Sequence, residues 1–196
     1  FWGRGAPLGD PAAPFTFRRA PRFYLEGWRP LGREGEQAAG LGATVAIERL
    51  SHALVLGDAG SARAGLEYLR WMTRFRRPCG AQSWEIPVQA PDLLTSALAS
   101  RAFLEGYALT GERALLERAI FWARTGLPFV WFWRDPGARA MLYGTVPALG
   151  GSYHGAGCWF GIAVPWVGLA YARTLLRLSR ALPGSGLEAA APSPAD

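Results

Sequence analysis

Two kinds of helix-length pattern alternate along this chain. In residues 61–75 the charged residues Arg63, Glu67, Arg70 and Arg74 recur at helical spacing, while Leu66, Leu69, Trp71, Met72 and Phe75 fill the other side. That is an amphipathic helix with one solvated stripe. Residues 113–125 repeat the arrangement, with Leu115, Leu116, Ala119, Ile120, Trp122 and Ala123 inward and Arg113, Glu117, Arg118 and Arg124 outward. The other segments are apolar nearly all round: about Ala43 to Leu56, Pro91 to Leu109 with Arg101 and Glu105 one turn apart, and Ile162 to Leu182 until its Arg-rich last turns. A helix apolar on every side needs neighbours on every side, so these are expected to be inner helices.

The connections alternate as well. Short turns, Gly57-Asp58-Ala59-Gly60 and Thr110-Gly111, follow the first two apolar helices and place glycine where a helix ends. Ser61 is the expected N-cap of the second helix, Pro91 and Asp92 open the third, and Glu112 opens the fourth. Long aromatic-rich connections, 76–90 and 126–161, follow the amphipathic helices. The hairpins 43–75 and 91–125 read as divergent copies of one unit, and the fifth helix as the first half of a third. The expected fold is all-α: stacked antiparallel α-hairpins forming part of an (α/α)6-type toroid. Residues 1–35 form an irregular or extended N-terminal segment, 36–182 the hairpins, and 183–196 a tail too small and polar to pack. Phe15, Phe17 and Phe23-Tyr24-Leu25 are expected in short extended pieces lying on other elements. Each long connection leaves an outer helix and enters an inner one, so all should emerge at one rim, with the short turns opposite. Where the row stops after the fifth helix, the face of Val164, Val167, Leu169 and Tyr171 should lack cover.

Composition changes this picture little. At 196 residues, half of them hydrophobic, the chain has enough apolar mass for a core. The net charge of +6 suggests nucleic acid until its source is read: all 21 basic residues are Arg, dispersed along the chain, and there is no Lys or Asn. A GC-rich genome accounts for that bias, and no nucleic-acid interface is expected. The sequence opens at Phe1 without a charged, apolar leader, so a piece of a longer or processed protein is expected, and the compartment stays open. Cys79 and Cys158 stand in no ligand spacing; two buried thiols are favoured over a disulfide, and neither metal nor other cofactor is expected. The uncharged stretch Gly155 to Ala172 nears the length of a membrane span. Its glycines, Pro165 and the following Arg173 and Arg177 favour a buried helix with an entry loop.

The long connections carry the candidate chemistry. They hold Trp84, Glu85, Trp131, Trp133, Arg134, Asp135, Tyr143, Tyr153, His154 and Trp159. Flat aromatic faces suit the C–H faces of sugar rings. Glycoside hydrolysis needs one carboxyl still protonated near neutrality and a second carboxylate as base or nucleophile. Glu85 is the acid candidate, since Trp84, Ile86 and Pro87 would desolvate it. Equally open is a Glu85 that caps loop amides or pairs with an Arg of 74–77. Asp135 is the candidate partner, although Trp-Arg-Asp-Pro-Gly also reads as an ordinary turn. Trp131 and Trp133 read as core with Phe129 and Phe132. His154 and Tyr153, with Arg134 or Arg139, would instead suit a lyase, in which a base takes the proton α to a uronate carboxylate and Arg neutralises that carboxylate. Glu85 and His154 are expected to open on one depression lined by Trp84, Tyr143 and Trp159. His52, four residues after Glu48, reads as a buried hydrogen-bonded pair. No phosphate loop, nucleophile-elbow motif or metal-spaced His cluster occurs.

Residues 79–178 also carry a resemblance. Trp84-Glu85-Ile86-Pro87, Pro91-Asp92-Leu93-Leu94, Gly106-Tyr107-Ala108-Leu109-Thr110-Gly111-Glu112, Phe121 through Val130, Met141-Leu142-Tyr143-Gly144-Thr145 and Pro165 through Ala172 resemble segments of bacterial proteins with the six-hairpin glycosidase fold. The resemblance implies an (α/α) toroid, of which five of twelve helices are present, and carbohydrate-related activity. The expected function is a fragment of a glycoside hydrolase acting on oligo- or polysaccharide. A polysaccharide lyase is the alternative, and a non-catalytic glycan-binding or scaffold module the other. The expected partners are a carbohydrate ligand and the remainder of the toroid.

Overall fold

The computed structural model describes residues 15–18, 32–83, 86–130, 145–146 and 165–183. Within them the chain is all-α: α1 (Ala39–Leu56), α2 (Ala59–Met72), α3 (Leu93–Thr110), α4 (Arg113–Thr125) and α5 (Pro165–Ala181), with a 3-10 turn at Leu127–Phe129. Among the described residues, backbone pairing outside helices is limited to three isolated bridges, Thr16–Gln37, Cys79–Pro91 and Val130–Thr145.

The helix ends follow from local chemistry. Gly57 (φ 68°) and Gly111 (φ 71°) close α1 and α3 in the left-handed region, donating back to Ala53 O and Tyr107 O. α2 is capped by Asp58 and not by Ser61: the carboxylate accepts from Ser61 N at 2.8 Å and Gly60 N at 3.3 Å, and Ser61 lies buried in the first turn. α2 also stops at Met72, short of Phe75. Side-chain donors take over there, Thr73 Oγ1 to Arg70 O and Arg76 Nη1 to Thr73 O. α1 begins at Ala39, a turn ahead of the expected start, because the Gly40 N–H finds a distant acceptor in Cys79 O at 2.9 Å.

Packing defines two layers. α1, α3 and α5 lie side by side, α3 in the middle; α2 packs behind α1 and α4 behind α3, with smaller contacts from α2 to α3 and α4 to α5. Ser51, Glu105 and Arg177, each the thirteenth residue of its helix, meet in one hydrogen-bonded group. The three inner helices therefore run in the same direction, with α5 offset along its axis: Thr174, its tenth residue, donates to the O of Ala97, the fifth residue of α3, at 3.4 Å. α3 is buried along nearly its whole length, whereas Arg63, Glu67 and Arg70 of α2, and Arg74 just beyond it, are exposed, as the patterns require. The core runs from Leu50 and Met72 through Phe103 and Trp122 to Leu175 and Leu178.

Three expectations need correction. Arg118 does not face outward: its guanidinium lies over the Phe121 ring and donates to Phe75 O at 3.2 Å, tying α4 to the end of α2. On α5 the uncovered face is Trp166, Leu169 and Leu176, while Val167 and Tyr171 are buried against α3 and α4; Val164 lies outside the described residues. His52 is exposed and bonds forward to Ser61 rather than back to Glu48. The N-terminal expectation holds for Phe15 and Phe17, both buried. The Phe15 ring stacks on Trp71 at 4.4 Å between centroids. Residues 23–25 lie outside the described set, as do all of the tail beyond 183 and the entry loop before Pro165. By length and composition α1 is apolar enough to cross a membrane, and it packs on α2 and α3.

Candidate functional site

The starts of the inner helices and the end of α4 lie together, and that end carries both long connections. Gly40 at the start of α1 abuts the Ala81 backbone so closely that only glycine fits. Thr125 Oγ1 of α4 meets Ser96 Oγ of α3 at 3.0 Å, and the Tyr171 hydroxyl of α5 donates to Ala123 O at 2.5 Å. The short turns at Gly57 and Gly111 fall at the opposite end. For the described flanks of both connections, the single-rim expectation is met.

The first connection is clamped from below by Asp92. Its carboxylate accepts from Thr95 N at 2.6 Å, Thr95 Oγ1 at 2.9 Å and Ala81 N at 3.2 Å, and the Asp92 N–H donates to Pro78 O at 2.6 Å. Ala81 N also reaches Thr95 Oγ1 at 3.0 Å. Burial without a neighbouring cation pushes the Asp92 acid up to about 7, against the pull of those bonds. The carboxyl is fully buried, so it holds the loop and does not itself meet a ligand. Above it, Ile86 N donates to Gln82 O at 3.0 Å, and Gln82, Ile86 and Val88 are buried. Cys79 is a buried free thiol, pushed up to about 11 by desolvation. Cys158 lies outside the described residues.

The second connection is fixed at its roots. Val146 N donates to Phe129 O at 2.9 Å beside the Val130–Thr145 bridge, Gly168 of α5 packs against Thr145, and Phe129 is core as expected. Trp84, Glu85, Arg134, Asp135, Tyr143, Tyr153, His154 and Trp159 all lie outside the described residues, as do Trp131, Phe132, Trp133 and Arg139. What the structure places is the frame on which they hang.

Two polar groups take partners that their sequence spacing does not show. The first is His52, whose Nδ1 lies 3.1 Å from Ser61 Oγ and 3.8 Å from Asp58 Oδ2. Despite the Ser, His and Asp, this is no catalytic triad. A triad places the nucleophile and the acid on different ring nitrogens, and here both face Nδ1. Bonds from Ser61 hold the Asp58 carboxyl below its ordinary range, as expected of a cap. The second group is Ser51, Arg101, Glu105 and Arg177 on the inner row. Its signal was the Arg101–Glu105 spacing within an otherwise apolar helix. Among the described residues no cluster of His, Cys, Asp and Glu could hold a metal ion.

No family model, curated protein or solved structure matches this chain.

Proposed function

We propose that this chain is part of an (α/α) toroid that acts on carbohydrate, a glycoside hydrolase in the first reading, with Glu85 as general acid and Asp135 as its partner. The observation that supports it most is the row α1–α3–α5 backed by α2 and α4, with both aromatic-rich connections rooted at one end. A row of this kind is the repeating layer of a toroid, and a shared rim is where its connections form a site. Trp84, Tyr143, Tyr153 and Trp159 would supply sugar-stacking surfaces there, and His154 with Arg134 the polar contacts. The exposed flank of α5, with Leu169 at 65% exposure, suits a further helix of the same row.

Glu85→Gln tests this in a protein that carries the whole toroid. Turnover of a responsive oligo- or polysaccharide should fall by at least about a thousandfold, with glycan binding largely kept. Unchanged turnover removes Glu85 from the mechanism. Products bearing an unsaturated uronate, formed equally by Glu85→Gln and lost in His154→Ala, would establish the lyase instead. Glycan binding without turnover in the parent protein would establish a binding module.

A further inference from the structure

A compact charged group sits about one and a half turns from the short-turn end of the inner row. Glu105 of α3 has a side chain only 7% exposed. Its Oε1 accepts from Arg101 Nε at 2.7 Å and lies 3.5 Å from Arg177 Nη1, and its Oε2 accepts from Ser51 Oγ at 2.7 Å. Ser51 Oγ in turn accepts from Arg101 Nη2 at 3.3 Å. Ser100 and Gly106, which flank this stretch of α3, turn instead toward α4 and α2. The group therefore occupies the side of α3 turned away from the outer layer.

One carboxylate here faces two guanidinium groups, which leaves one positive charge unbalanced. Glu48, a turn before Ser51, is exposed and forms no ion pair with either Arg among the described residues, and Arg173 and Arg180 of α5 add positive charge nearby. A guanidinium has five N–H donors in a planar fork. Arg101 spends two of them within the group and Arg177 one. Their side chains remain 31% and 42% exposed, so the unused donors reach solvent. Two like charges drawn to the same oxygen repel each other, and a second anion between them relieves that repulsion. Glu105 and Ser51 hold the Arg101 fork in place, which removes part of the ordering cost of binding.

We propose that Arg101 and Arg177, oriented by Glu105 and Ser51, form a binding site for an oxyanion group: a carboxylate, sulfate or phosphate borne by a ligand. The site is separate from the rim and stands whether or not the rim handles carbohydrate.

The test is calorimetric titration of the full chain with sulfate, phosphate and D-glucuronate. Chloride at matched ionic strength and neutral D-glucose serve as controls. Millimolar binding of at least one oxyanion is expected, beyond either control. Arg177→Gln should weaken it at least about tenfold, the loss of one charge-assisted contact, while the unfolding midpoint stays close to that of the parent. Arg173→Gln, a neighbouring arginine outside the group, should leave binding unchanged. Tighter binding of glucuronate than of sulfate would mean that the rest of the sugar is read too, and equal binding that the oxyanion alone is read; both sustain the site. No binding above the chloride control overturns it. So does equal weakening by Arg173→Gln and Arg177→Gln, which would reduce the site to a diffuse basic surface.

Discussion

Asp92 shows how one side chain can couple the loop rim to pH. Its carboxyl is pushed up to about 7 in the folded chain, against an ordinary value near 3.8. Between those values the folded state holds a proton that the unfolded state has released. Its contribution to stability is therefore complete below about pH 4 and is lost as pH rises through about 7. A displacement of this size corresponds to on the order of 4 kcal/mol. Asp92→Asn keeps an oxygen to cap Thr95 N and removes the titration. Urea midpoints taken from about pH 4 to about pH 8 should decline in the parent and stay nearly level in the variant. Equal slopes would mean that Asp92 titrates normally. The sequence disclosed that Asp92 starts a helix, since it stands after Pro91 and before an apolar run. It did not disclose the burial, which depends on Ala81 folding back over the carboxyl. His52 failed in the opposite way. Its spacing from Glu48 was local and real, but the partner it took, Ser61, lies across a turn.

Among the elements, inner and outer helices were legible because burial on all sides and burial on one side leave different periodicities. The short turns were legible because Gly57 and Gly111 occupy backbone angles that disfavour other residues. Helix starts were less so. α1 gained a turn from a hydrogen bond to Cys79 O, and α2 took its cap from Asp58, three residues ahead of the serine that fits the usual pattern. Gly40 tests the consequence for α1. An added methyl group would overlap the Ala81 backbone, which is itself tied to Asp92 and Thr95. Gly40→Ala should raise helix propensity yet lower stability by about 1–2 kcal/mol, because overpacking outweighs the propensity gain. A rise in the unfolding midpoint would show that the loop shifts freely and that the clamp is weak.

On the scale of the whole molecule, the all-α class and the layer order were within reach of the pattern, because both follow from which faces are apolar. Among the described residues the row ends at α5, and its exposed side matters for behaviour in solution. Trp166, Leu169 and Leu176 form an exposed apolar strip along α5, interleaved with Arg173, Arg177 and Arg180. Such a strip favours self-association. Sedimentation of the 196-residue chain should show concentration-dependent oligomers, and Leu169→Glu combined with Leu176→Glu should return it to a monomer. A parent that stays monomeric at high concentration would contradict this.

The meeting of Ser51, Glu105 and Arg177 has a mechanical consequence. Helices packed through apolar side chains can slide along their axes at little cost, and shear of that kind is one of the common ways in which helical proteins change shape. Here a shift of one turn between α1 and α3, about 5.4 Å, would carry the serine away from the carboxylate and leave a buried charge short of a partner, while the longer, more exposed Arg177 contact adds a looser tie from α5. The group acts as a pin through three parallel rods. It ties α1, α3 and α5 together at one point along their lengths. A rocking of the row about that point keeps the group intact, and the loop-bearing ends, which lie further from it than the short turns, travel furthest.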